Sequence, residues 1–243
     1  MIFLYNYFFL VLKKLFKVFG FKSINLFTIP NSRSLLDNAF KVNKPFYFIQ
    51  VGANDGVSFD DLFDFIKQRL SSGNVIEPIK SYFNELSLNY SYNKDIICVN
   101  KAIHPTKNQV SLFKIKEEVS NNYPDWVKGI ASLNPNHAKK YNIKSSDLEE
   151  EIVEADTFIN IVKKFYKYDC IDYLQIDTEG FDFEILKMID FTTFKPKLIK
   201  YESVNLDTSS YLQSIKFLKE KGYFVYKEMN DNIAVNLSKI KLK

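Results

Sequence analysis

Five residues of this chain, Gly52, Glu77, Asn100, Asp177 and Glu202, stand at the ends of short apolar runs that read as β-strands. Open parallel sheets bind ligands outside the carboxyl ends of their strands, so these are the positions where chemistry is expected. Asp177 opens the run DTEGFD, in which Glu179 and Asp182 add two more carboxylates before a helix begins. A carboxylate of raised proton affinity acts as a general base, and several carboxylates together hold a hard cation such as Mg2+. Asp177 and Glu179 are the candidate bases, and these two with Asp182 and Glu202 are the candidate metal ligands. Acids at a helix start also act as caps, and for Asp182 that structural role is an equal alternative. His104, just past the third apolar run, is a further candidate base, although a lone histidine is more often structural. Ser132, in GIASL, is placed either to close over an acceptor or to cap a loop.

The second chemical feature is FYFIQVGANDGVSFDDLFDFI, residues 46–66. Phe46, Phe48, Ile49 and Val51 read as a buried parallel strand, and Phe59, Leu62, Phe63, Ile66 and Leu70 recur at helical spacing. Gly52 and Gly56 lie between them in a G-x-N-x-G arrangement. Gly52 lets a ligand approach the main chain closely, and Asn54 tolerates left-handed geometry. A strand, a tight turn and a helix start make a nucleotide-type cradle, because the first helical N–H groups lack internal partners. Glu77 closes the next apolar run, NVIEP, 21 residues beyond Gly56, where a carboxylate can accept hydrogen bonds from both hydroxyls of a ribose.

The elements that must position these groups alternate between strand and helix. Strands are expected at 75–76, 96–100, 110–115, 171–176 and 197–203, and helices at 79–88, 157–165, 183–189 and 211–218. Ala102 and Ile103 continue the tip of the third strand. The closing runs YFVYKE and NIAVNL flank Met229, Asn230 and Asp231 as an antiparallel hairpin. The pattern predicts an α/β, doubly wound, largely parallel sheet with an antiparallel edge. Residues 116–151 are polar and too many for a connection, so a lid or substrate loop is expected there, with regular structure resuming at Thr157.

With 243 residues, 46% of them hydrophobic, the chain suits one sizeable core. The formal charge of +4 is mild and argues against nucleic acid as a partner. Cys98 and Cys170 lie in or beside apolar runs and read as reduced core residues of a cytoplasmic protein. With His104 and His137 the only histidines, a zinc site is disfavoured. Residues 1–36 carry lysines and an arginine but no acid. The apolar start is too short to span a bilayer, and its lysines follow it, the wrong order for a secretory signal. Two readings of residues 1–22 stand: an interfacial helix on the inner membrane face, or a helix packed on the domain surface. Residues 1–40 therefore read as an apolar helical extension, and 41–243 as the catalytic domain with its lid-like insertion.

In order, FIQVGANDG, VIEP with a following aromatic and leucine, GIASL, and YLQIDTEGFDFEIL followed by KLIKYE resemble the FkbM family of S-adenosylmethionine-dependent methyltransferases, from about residue 46 to 203. The resemblance implies a class I methyltransferase (Rossmann-like) fold with a seven-stranded sheet. It implies methylation of an oxygen, commonly a hydroxyl of a sugar or a polyketide-type product, so that the acceptor is a small molecule or glycan. On that likeness Gly52, Ala53, Asn54 and Gly56, with Gln50 and Asp55 beside them, line the methionine end of the cofactor. Glu77, with Pro78, holds its ribose, and Asn100 and Ala102 lie near the adenine. Asp177 and Glu179 match the family's Asp-x-Glu-Gly, Glu202 matches its acid after the fifth strand, and Ser132, Asp182 and Glu202 fall on the acceptor side. Two departures matter: Gln50 stands where many members have Asp, and Asp182 where Glu is usual.

Two other readings compete. A nicotinamide-dependent oxidoreductase also uses a glycine turn and a ribose-binding acid, but the G-x-G-x-x-G spacing is missing. A membrane-docked binding protein without catalysis would leave the retained carboxylates unexplained.

Overall fold

The computed structural model describes residues 30–58, 60 and 62–241, so residues 1–22 and Phe59 lie outside the described residues. In chain order the strands are β1 (Pro45–Val51), β2 (Leu70–Ile76), β3 (Ile96–Val99), β4 (Ala102–Ile103), β5 (Gln109–Ile115), β6 (Ala131–Ser132), β7 (Leu148–Asp156), β8 (Tyr173–Ile176), β9 (Leu198–Glu202), β10 (Phe224–Glu228) and β11 (Asp231–Val235). The helices are α1 (Ser32–Ala39), α2 (Leu62–Lys67), α3 (Lys80–Asn89), α4 (Asp125–Lys128), α5 (Phe158–Phe165), α6 (Asp182–Met188) and α7 (Thr208–Glu220).

The apolar run of β1 is continuous because both of its faces are covered. Phe46 and Phe48 enter one core with Leu35 and Leu36 of α1 and Phe65 and Ile66 of α2. Ile49 and Val51 enter the other with Phe158 and Ile161 of α5 and Ile185 and Leu186 of α6. Each such side chain contributes roughly 1.5–3 kcal/mol on burial. The sheet between these layers has seven strands in the order β10-β11-β9-β8-β1-β2-β3. The pairs from β9 to β3 are parallel, and β11 runs antiparallel to both β9 and β10. The hairpin is therefore present, with its second strand inserted beside β9 and its first forming the edge. Strand order reverses between β1 and β8, which opens a crevice at their carboxyl ends.

Three sequence expectations are corrected. Leu70 does not continue α2; it begins β2 and is 65% exposed. Cys170 is exposed, not a core residue, and Cys98 is half-buried; both are free thiols. Regular structure resumes nine residues before Thr157, because Leu148–Asp156 forms β7. Its residues from Leu148 to Glu154 pair antiparallel with β5, and Ala155 and Asp156 pair parallel with β4, in a second, four-stranded sheet of order β4-β7-β5-β6. The segment ahead of β7, for which a lid is expected, packs Val127, Ile130, Ala138 and Ile143 with Ile115 of β5 in a small core of its own.

Candidate active site

A cavity of about 360 Å³ opens at the carboxyl ends of β1, β2 and β8. Its floor is the main chain of the glycine turn. Gly52 has φ +76°, and a β-carbon added there would lie 1.7 Å from the Asp177 carbonyl oxygen. No other residue type fits, and the bare backbone faces the cavity. Asn54 is left-handed at φ 50°, as its residue type allows. The lid presses on this turn, since a β-carbon on Gly129 would come within 2.1 Å of Asn54 Nδ2.

Glu77 lies at the tip of β2, buried and against the cavity. Its Oε2 accepts a hydrogen bond from the Asn54 N–H (2.9 Å) and its Oε1 one from the Ile79 N–H (2.8 Å). Burial pushes its carboxyl up to about 7 against the pull of those two donors. Gln50, Ala53, Pro78 and Ala102 join Gly52, Asn54 and Glu77 in the cavity wall, whereas Asp55, Gly56 and Asn100 do not. Asp55 instead accepts from the Val57 and Ser58 N–H groups. Asn100 donates to the Glu77 and Pro78 carbonyls, so it shapes the loop behind the wall.

On the opposite side, Asp177 and Glu179 face the cavity. One carboxylate oxygen from each of Asp177, Glu179 and Glu202 falls within 4.8 Å of the others. Asp177 has solvent-accessible surface, but that surface is the cleft wall, and the enclosing protein together with Asp182, Glu179 and Asp231 raises its carboxyl well above the usual range. Burial, then the charges of Asp177, Glu179 and Asp182, push Glu202 up to about 9. Asp182 is fully buried at the start of α6 and is pushed up to about 7, chiefly by burial. It caps its own turn, accepting from Thr178 Oγ1 and the Gly180 N–H. Glu202 Oε2 and Asp182 Oδ1 are buried without a hydrogen-bond partner.

Three residues that sequence reasoning did not single out complete the site. His137 is 4% exposed and comes from the lid, with Nε2 2.8 Å from Glu179 Oε2. Asn205 Nδ2 donates to Glu179 Oε2 and Glu202 Oε1, both at 2.8 Å. Asp60 lines the cavity beside Gln50. No spacing signal marks His137 or Asn205, whereas Asp60 precedes a helical pattern and reads as a cap. Glu179 itself sits at φ 53°, unusual for a non-glycine residue. Ser132 is not in the cavity wall; its hydroxyl donates to the Glu179 carbonyl at 3.1 Å. His104 is also outside the wall, stacked on Phe181, with Nδ1 accepting from the Thr106 and Lys107 N–H groups. Its pKa is lowered by burial and by Lys107.

This strand order, with a glycine cradle and a strand-end acid beside the switch point, is the architecture of the class I methyltransferases. Residues 50–225 match the family described as the methyltransferase FkbM domain, and the chain belongs to that family of S-adenosylmethionine-dependent methyltransferases. Among solved structures it is similar to an FkbM methyltransferase from Methylobacillus flagellatus KT at 11% identity and TM-score 0.49, over 83% of this chain and 46% of that one. It is also similar to a precorrin-6y C5,15-methyltransferase from Geobacter metallireducens GS-15, at 12% identity and TM-score 0.42, over 88% and 90% of the two chains. A third is the M. capricolum TrmK in complex with S-adenosylhomocysteine, at 10% identity and TM-score 0.40, over 85% and 67%. No curated protein matches the chain. The bare turn at Gly52, the cavity beside it and the unpartnered Gln50 Oε1 fit such a cofactor.

Proposed function

We propose that this methyltransferase acts on a hydroxyl of a sugar, glycan or related natural product. The observation that carries this reading is that one cavity holds both the glycine turn and the Asp177–Glu179 acids, with Trp126 of the lid, 51% exposed, on its rim. An aromatic face suits the apolar side of a sugar ring. S-adenosylmethionine, when bound, supplies a methyl group already activated on a sulfonium. Gly52, Ala53 and Asn54 would take its methionine end, Glu77 would accept from its ribose hydroxyls, and Ala102 would border its adenine, with Asn100 shaping the loop behind that wall. Asp177 or Glu179 takes the proton of the acceptor hydroxyl: both face the cavity, and burial together with the neighbouring acids gives Asp177 the raised proton affinity that a base needs. Closing the lid over the acceptor excludes water and fixes its oxygen in line for attack.

A second reading of the same acids is favoured by the unpartnered Glu202 Oε2. Asp177, Glu179 and Glu202 together offer the oxygen ligands that suit Mg2+. Activity lost to a chelator and regained with Mg2+ supports that reading; full activity in chelator rejects it. Residues 1–22 either dock on a membrane surface or pack on the domain, and identical partitioning of truncated and full-length protein would reject the membrane reading. Among the described residues no helix is long and apolar enough to cross a membrane.

The deciding experiment is a screen of glycan and lipid-linked sugar acceptors with a labelled methyl donor. Label on a sugar oxygen, absent with Asp177→Asn, is the expected outcome. Label found only on nitrogen or carbon acceptors rejects the proposal.

A further inference from the structure

The side chain of Gln50 leads from the cavity wall to a half-buried acid, Asp60. Gln50 is 2% exposed and lines the cavity at the tip of β1. Its Nε2 donates to Asp60 Oδ2. The amide can point only this way, because the reverse orientation would set a carbonyl oxygen against a carboxylate. Gln50 Oε1 is consequently turned elsewhere, buried and without a partner.

Asp60 is surrounded by donors, and none of those bonded to it is a cation. Its Oδ1 accepts from the Leu62 N–H at 2.8 Å and from Gln175 Nε2 at 3.5 Å. Gln175 pairs with Gln50 across β1 and β8, and its own Oε1 is taken by the Tyr173 hydroxyl. Lys200, whose positive charge acts on Asp60, is bonded to Asp231 at 3.2 Å. Burial raises the Asp60 carboxyl, and the surrounding donors and Lys200 pull it back down. A cap for α2 needs only an oxygen at this position, which Ser or Asn supplies equally well. A half-buried carboxylate on the cavity wall, beside a residue with an orphaned carbonyl, suits a cationic donor.

We infer that Asp60, together with Gln50 Oε1, binds the α-ammonium group of the methyl donor's amino-acid end. An ammonium brings one positive charge and three donors, enough for the carboxylate and the amide oxygen together. The negative charge facing that group is thus supplied from the loop before α2, on the wall that Gln50 shares. This inference rests on the methyltransferase reading and adds a residue to it.

The test is calorimetry on the full chain with S-adenosylhomocysteine and with its analogue lacking the α-amino group. Wild type should prefer the intact ligand at least tenfold. Asp60→Asn and Asp60→Ser, both of which keep an oxygen for the Leu62 N–H, should lose most of that preference while binding the analogue as wild type does. The exchange Gln50→Asp with Asp60→Asn should restore it. Equal binding of both ligands by wild type overturns the inference without any variant. Preference retained in both Asp60 variants, or lost instead in Asp177→Asn, overturns it as well. Failure of wild type to bind S-adenosylhomocysteine at all would reject the cofactor assignment together with this one.

Discussion

Glu77 and Glu202 both stand at the ends of strands of one sheet, yet Glu77 has each oxygen bonded by a backbone N–H whereas Glu202 keeps one oxygen without a partner. The contrast extends to their surroundings. The cradle side is built from main chain: Gly52, Ala53 and Asn54 offer backbone, and backbone N–H groups fix its acid. The β8–β9 side is built from side chains, with Asp177, Glu179 and Glu202 crowded together and only Asn205 and His137 between them. Backbone donors are fixed by the fold and suit holding a ligand in one place. Crowded carboxylates hold charge that a proton or a cation relieves, and that suits a reaction.

The two sides meet at Gly52, so Gly52→Ala has the largest expected effect. The added carbon would overlap the Asp177 carbonyl from a left-handed residue. The expected cost is roughly 2–5 kcal/mol from left-handed strain plus overpacking, with loss of cofactor affinity. Denaturant titration with ligand calorimetry reads both. Wild-type values would mean that the joint between the two sides is looser than the contact at Gly52 implies.

Next come the acids. Asp177→Asn and Glu179→Gln are expected to lower kcat by about 10²–10⁴ as positioned proton acceptors do, while cofactor affinity stays within a few-fold. Single-turnover kinetics beside calorimetry separates the two. A variant that loses binding and rate equally would place its acid on the holding side of the comparison.

The same divide decides what could be read from the sequence. The cradle was legible because local rules govern it: an apolar run buried on both faces, a turn that only glycine fits, and an acid at the next strand end. The DTEG run was legible as a cluster for the same reason. β7 was not legible, because its inward positions begin with Glu149 and Glu151, which face Lys114 of β5 at 3.2 and 3.1 Å, so charge pairing replaces the apolar alternation that marks a strand. His137 and Asn205 reach the site through the lid and the loop after β9, contacts at long range that no spacing records. Expectations for Ser132 and His104 named residues that touch the site's supports instead of its cavity.

Glu77 sharpens the holding side. Its folded carboxyl, pushed up to about 7, lies above its ordinary value of 4.5. The folded state then keeps a proton that the unfolded chain releases, so this group's stabilising contribution is complete below about 4.5 and is lost as pH rises through about 7. Glu77→Gln cannot titrate, so the gap in Tm between wild type and variant should narrow or reverse from pH 4.5 to 7.5, roughly the span of that titration. A gap independent of pH would mean that the carboxyl ionises in the folded protein as it does in water. Glu77→Ala is a coarser instrument than sequence alone suggests. It also strips the Asn54 and Ile79 N–H groups of their acceptor, at roughly 1–3 kcal/mol for each donor left buried and unpaired.

The smallest expected effect belongs to His137, and it tests the reacting side. Glu179 Oε2 is held by two donors, His137 Nε2 and Asn205 Nδ2, each at 2.8 Å. Removing one leaves the other, so His137→Gln should cost about 1 kcal/mol of positioning, roughly a fivefold fall in kcat, with cofactor affinity unchanged. Asn205→Ala should cost more, because Asn205 bridges Glu179 to Glu202 and its loss takes a donor from both carboxyl groups at once. The ordering matters, since His137 belongs to the lid and Asn205 to the loop that leaves β9 of the main sheet. If His137→Gln proves the more damaging, Glu179 is held in its left-handed turn by the lid, and the reacting wall is assembled only when the lid is seated.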